Sequence, residues 1–236
     1  MSINLFDIAL LAIVVILVVF SAKKGFALSL LNTIAFAFSG VLAYKLSGPL
    51  SELIFSSFLY DSMQTSFNEI LSDISAETTH NGQLLALTEA LPEGFVKIWE
   101  GFGFNLDNLL NTSMQADYTS NEVMVKCFID NVASEIVKSV LEIILFILLF
   151  IILSIVLKYI ASLLDKVIKI TPIAGKANTV LGGVLGVIKG LVLVFVVCFV
   201  VCPLVFAIDI PLLKDTITSS VVYEFIIYNN PFNSVV

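Results

Sequence analysis

The sequence predicts an all-helical, polytopic membrane protein. It has four transmembrane helices in two hairpin-like pairs, plus short amphipathic helices in an extracytoplasmic middle segment. Three observations carry this. The chain is 58% hydrophobic and only 13% charged, with a mean hydropathy of +1.04, whereas a soluble domain is about a quarter charged. Four apolar runs approach the length that crosses a bilayer core as a helix. The lysines cluster in short connections, Lys23 and Lys24 between the first two runs and Lys158, Lys166, Lys169 and Lys176 between the last two. Leu46 to Val137 instead carries thirteen carboxylates and two lysines. Short lysine-rich loops stay cytoplasmic. The reading therefore puts the lysine turns inside, with the middle segment and both termini outside.

The elements follow in order. Residues 1–48 form a transmembrane hairpin, with spans at about 3–22 and 26–46 joined by Lys23-Lys24-Gly25. Lysines follow the first run instead of preceding it, so that run is expected to stay as a span, not to be cleaved as a signal peptide. Gly48-Pro49 is expected to end the hairpin. Residues 49–118 form the acidic extracytoplasmic segment, with apolar residues at helical spacing such as Phe67, Ile70, Leu71 and Ile74. Its short helices either lie on the outer surface or pack into a modest cap, with Trp99 as a headgroup anchor.

Residues 119–208 begin at Thr119-Ser120-Asn121-Glu122, which has capping-box spacing. A long helix follows, with a span at about 139–157. A cytoplasmic interfacial segment (158–176) and a fourth span (about 180–208) complete this region, and Pro203 is expected to kink its outer end. Residues 209–236 are an extracytoplasmic tail in which 217–228 reads as one short amphipathic helix.

Three places in this pattern resemble the bacterial colicin V production protein (CvpA) family. The first is an acid early in span one, Asp7, followed by Lys24-Gly25-Phe26. The second is the order of two spans, a polar middle and two further spans. The third is Asn178-Thr179-Val180-Leu181-Gly182-Gly183-Val184-Leu185-Gly186-Val187-Ile188-Lys189-Gly190, which is similar to the family's small-residue-rich entry to the last span. The resemblance covers about 1–48 and 135–208. Family members often carry a further basic and acidic residue after the Gly-Phe, where this chain has Ala27 and Leu28. The resemblance implies a bacterial inner-membrane protein linked with envelope function or colicin V-type toxin production and export.

The candidate functional residues are few. Gly182, Gly186 and Gly190, with Gly183 beside them, line one helix face and read as a close-packing surface. Asp7, Glu142 and Lys189 are the candidate intramembrane polar residues. Asp7 reads as an outer interfacial acid that needs no partner, or as an ion site or lysine partner. Lys189 reads as snorkelling to the cytoplasmic interface, or as lining a pathway. No nucleophile-and-base set and no metal-ligand cluster occurs, so no enzyme activity, metal or cofactor is expected. Cys198 and Cys202 read as small apolar packing residues. The absence of arginine argues against nucleic-acid binding. The expected partners are the lipid bilayer, further copies of the chain, and an unidentified membrane or envelope protein. The alternative function is a small-solute or ion transporter or channel using Asp7, Glu142 or Lys189.

Overall fold

A computed structural model describes residues 3–74, 79–102, 105–114, 118, 120–168, 176–208 and 210–228, which are helical apart from short turns and bends. The helices are α1 (Leu5–Lys24), α2 (Phe26–Ile54), α3 (Tyr60–Asp73), α4 (His80–Glu89), α5 (Glu93–Gly101), α6 (Leu106–Met114), α7 (Asn121–Phe128), α8 (Ser134–Ile168), α9 (Lys176–Val196), α10 (Cys202–Ile208), α11 (Pro211–Thr218) and α12 (Val221–Tyr228). Among the described residues, four helical stretches are long and apolar enough to cross a membrane: Leu5–Lys24, Phe26–Asp73, Asn121–Leu163 and Lys176–Phe206.

Three of these stretches are continuous through a π-helical turn, at Phe55–Leu59, Ile129–Ala133 and Val197–Val201. The last lies just before Pro203. A proline lacks the N–H that would bond four residues back and crowds that carbonyl, and a wider turn relieves both. Gly48-Pro49 does not end α2, contrary to the sequence reading, and the helix runs through Pro49. Neighbouring hydroxyls add bonds there, Ser47 Oγ to Tyr44 O at 3.1 Å and Ser51 Oγ to Gly48 O at 2.8 Å. Ser120 accepts from Val123 N–H and is the N-cap of α7, one position later than the box expected from Thr119, which lies outside the described residues. The tail forms two helices, α11 and α12, broken at Ser219-Ser220.

The chain divides into two compact units. Residues 43–149 form one. Its core joins Phe55, Phe67, Leu84, Leu87, Trp99, Met124, Phe128, Ile129, Val132 and Ile136. The short amphipathic helices therefore turn their apolar stripes onto one another and onto α7. Phe67 meets Phe128 edge-on at 5.5 Å between ring centroids, a favoured aromatic geometry. Trp99 belongs to this core at 5% exposure, so it is not the surface anchor expected of it. On the unit's surface Lys138 pairs with Glu52 at 2.8 Å and lies over the Phe55 ring.

Residues 1–42 and 150–236 form the other unit. Chain neighbours are not the main packing partners in it, because α1 lies along α9. Phe36 of α2 meets Phe150 edge-on at 5.1 Å.

Trp99 is the single tryptophan and reports the state of the helical core. In the purified chain its emission should be blue-shifted and poorly quenched by acrylamide. Phe128→Ala removes a fully buried ring and should destabilise this unit by about 3–5 kcal/mol. The readouts are a red-shifted Trp99 emission and a lower denaturant midpoint; an unchanged midpoint contradicts this core.

Candidate functional site between the first and fourth spans

Helices α1 and α9 run antiparallel, in a register set by glycine. A methyl group on Gly186 would sit 2.6 Å from Val18 Cα and 2.7 Å from Leu17 O. On Gly182 it would sit 2.7 Å from Ser21 O, and on Gly190 3.0 Å from Val14 Cγ1. Residues four apart lie on nearly the same face of a helix, so these glycines form one stripe that accepts the α1 backbone. No side chain fits at Gly182 or Gly186 without separating the helices. Gly183 is different: a methyl there would make ordinary contacts of 3.8 Å with Ala22 and Val18. The stripe continues at Val194, which clusters with Leu10, Cys198 and Ile226.

One end of this contact is the turn between α1 and α2. Gly25 has φ +76°, a conformation that side chains disfavour. A Cβ there would also collide with the Asn178 amide. Asn178 Oδ1 accepts the Phe26 N–H at 2.6 Å, satisfying a donor that the start of α2 leaves free. One turn further in, Ser29 Oγ donates to Ser21 O at 2.7 Å. Lys189 is half-buried and its Nζ donates to Ser29 O at 3.1 Å. The Lys189 ammonium thus reaches toward the end that carries Lys23, Lys24 and Lys176.

That end also holds a cavity of about 510 Å³, bordered by Lys24, Lys158 and Lys189 from three helices. Lys166 falls within α8, and Lys169 lies outside the described residues.

The opposite end of the contact is polar and closed. Asp7 is 5% exposed. Its carboxylate accepts from Ser220 O–H at 2.5 Å, Val222 N–H at 3.0 Å, Val221 N–H at 3.3 Å and Asn4 N–H at 3.0 Å. Asn4 Oδ1 in turn accepts the Asp7 N–H at 3.0 Å, completing a reciprocal cap on α1. Asn4 Nδ2 donates to Thr216 O at 2.6 Å and to Ser219 Oγ at 3.1 Å. One carboxylate therefore caps two helices, and its charge lies where the α12 dipole favours an anion. Asp7 is held by four donors of the chain, whereas the sequence reading favoured an interfacial acid that needs no partner over an ion site or lysine partner.

Glu142 belongs to the other unit, where its Oε1 lies 3.5 Å from where a Cβ on Gly48 would be. Asp7 and Lys189 share a unit but have different partners. His80 is exposed at the start of α4, its ring 6.2 Å from that of Tyr118. Among the described residues no group of three His, Cys, Asp or Glu side chains can hold a metal.

Sequence reasoning missed Asn4, Asn178 and Ser220. Asn4-x-x-Asp7 before an apolar run is itself a reciprocal-cap spacing. Asn178 opens a stretch that carried the resemblance, but nothing local names its partner or that of Ser220, which are 152 and 213 residues away.

Residues 118–231 match the family model of the colicin V production protein. Over that stretch, just under half of its length, the chain is similar to the colicin V production protein family. No curated protein and no solved structure matches the chain. The matched CvpA stretch includes Asn178, the glycine stripe, Lys189 and Ser220, while Asp7 and Lys24-Gly25-Phe26 precede it. The match and the four helices of membrane-crossing length fit a multi-pass membrane protein of the CvpA type.

Two substitutions probe this contact. Gly186→Leu should sharply lower folded yield and thermal midpoint in detergent, while Val192→Leu on the exposed face is neutral. Wild-type behaviour of Gly186→Leu would contradict the packing. Asp7→Asn removes a charged acceptor and should weaken the α12 attachment by about 1–3 kcal/mol. Limited proteolysis should then cut first near Ser219. Equal protease resistance in the two proteins would argue against the cap.

Proposed function

We propose that this protein is a non-enzymatic membrane component that supports envelope function or colicin V-type toxin production and export, by forming a membrane assembly. The observation that carries this reading is the saturation of Asp7. Its carboxylate accepts four hydrogen bonds from the chain itself, so it holds helices together and has little capacity left for a passing ion. The glycine stripe is filled by α1 in the same way. The outward side chains of α9, among them Val180, Val184, Ile188 and Leu191, are apolar and exposed, which suits lipid or further membrane helices. Further copies of the chain and a separate envelope protein are the proposed partners, and the molar mass of the purified protein in detergent tests the first.

The proposed location is the bacterial cytoplasmic membrane, with the lysine end inside. Both termini and the helices of residues 49–118 are then outside, as the lysine bias favours. Antiparallel packing of α1 on α9 supports placing Lys24 and Lys176 on one side. Thiol labelling tests this in a Cys127→Ala background, since Cys198 and Cys202 are buried. In intact cells Asn81→Cys should react with a membrane-impermeant maleimide and Lys23→Cys should react only after lysis. Reversed labelling overturns the orientation.

A second reading, a small-solute or ion transporter, is favoured by one observation: Lys189 borders a cavity. Flux through liposomes containing the purified protein decides between the two. If flux is present and Lys189→Gln abolishes it at equal assembly, the transporter reading replaces the scaffold.

A further inference from the structure

We infer that the cavity bordered by Lys24, Lys158 and Lys189 is a binding site for a phosphate group, carried most naturally on an anionic lipid. The inference does not depend on the scaffold reading. Three lysines, from α1, α8 and α9, border this one cavity. Among the described side chains, no carboxylate borders the cavity or pairs with any of the three. Among the described residues, Lys189 has only the Ser29 carbonyl as a partner. A single peptide dipole does not balance a full charge in a low-dielectric surrounding, where like charges repel strongly. An anion held among the three removes that repulsion. Phosphate fits because lysine binds it as a compact point charge, with no need for the fork of arginine.

The remaining wall points to an amphiphile. Leu17, Phe20, Phe36 and Ile155 border the same space, so an acyl chain can lie against them while its phosphate meets the lysines. Among the described residues, the Ser154 hydroxyl in the same wall has no hydrogen-bond partner and can donate to a phosphate oxygen, while the unpartnered Asn32 Oδ1 is an acceptor suited to a head-group hydroxyl. The wall thus has more polar capacity than the protein itself satisfies. Basic pockets between membrane helices are a known physical solution for holding anionic head groups.

The test uses the full chain in a neutral maltoside detergent. Native mass spectrometry measures retention of phosphatidylglycerol against zwitterionic phosphatidylcholine, with inorganic phosphate added as competitor. Wild type should retain one phosphatidylglycerol at least about tenfold more tightly than phosphatidylcholine, which corresponds to about 1.4 kcal/mol. Lys24→Gln with Lys158→Gln should abolish the preference. Both side chains are exposed, so the fold should survive, and unchanged helix content by circular dichroism checks this. Lys176→Gln removes an exposed lysine that does not border the cavity and should leave the preference intact. If inorganic phosphate fails to displace the lipid, a lipid head group is the ligand. Displacement at low millimolar phosphate supports the same site with a soluble phosphate as its source. No preference in wild type, or a preference that survives the double substitution, overturns the inference.

Discussion

The membrane unit depends on the antiparallel contact between α1 and α9. In lipid, burying one apolar side chain against another gains little, because the acyl chains are equally apolar. Association must come from close van der Waals packing and from hydrogen bonds, and this contact uses both. Gly182 and Gly186 bring α9 within backbone distance of α1. Each end is then fixed by a polar lock, Asn178 on Phe26 N–H at one and Asp7 on Ser220 and the start of α12 at the other. The locks are separated by most of the length of α1. Together they leave the two helices little freedom to slide, since a slip would unpair buried polar groups as well as loosen the packing.

The unit of residues 43–149 follows a different logic. Its core is aliphatic and aromatic, like that of a soluble helical domain, and its charged residues stay at the surface. The burial of Phe128, Met124 and Ile136 needs no glycine contact, because the hydrophobic effect drives such burial wherever these side chains would otherwise meet water. One chain thus packs in two ways: by glycine-mediated helix contact along α1 and α9, and by apolar stripes among carboxylates in the helices of residues 49–136.

Much of this was legible in the sequence. The four long helices follow from run length and hydropathy, which depend on no distant partner. The glycines at 182, 186 and 190 are visible as a periodic face, because a helix maps spacing onto geometry. What occupies that face is not visible. Nothing local to Gly186 names Val18, and sequence order suggests α2 as the partner of α1. The breaks were misread where tertiary context overrides local preference. Pro49 lies inside a helix, and the tail breaks at Ser220, whose hydroxyl is held by Asp7. Trp99 was misplaced because an aromatic residue beside charges reads equally well as a membrane anchor or as the edge of a core.

Two of the stretches that carried the family resemblance, Lys24-Gly25-Phe26 and Asn178 to Gly190, are one site in space. Gly25 leaves room for the Asn178 amide, which caps the helix that Phe26 begins. Lys189 follows from the same geometry. With Gly186 and Gly190 pressed onto α1, the side chain between them on the helix surface has no room along the contact. It must leave sideways, into the groove where α2 starts, and there it meets the Ser29 carbonyl and the cavity shared with Lys24 and Lys158. The glycine stripe and the cationic cavity are therefore linked by construction. Separating α1 from α9 at Gly186 would also withdraw Lys189 from Ser29, so loss of packing and loss of the cationic site should accompany each other. The reverse does not hold, because Lys24 and Lys158 can lose their charge without touching the stripe.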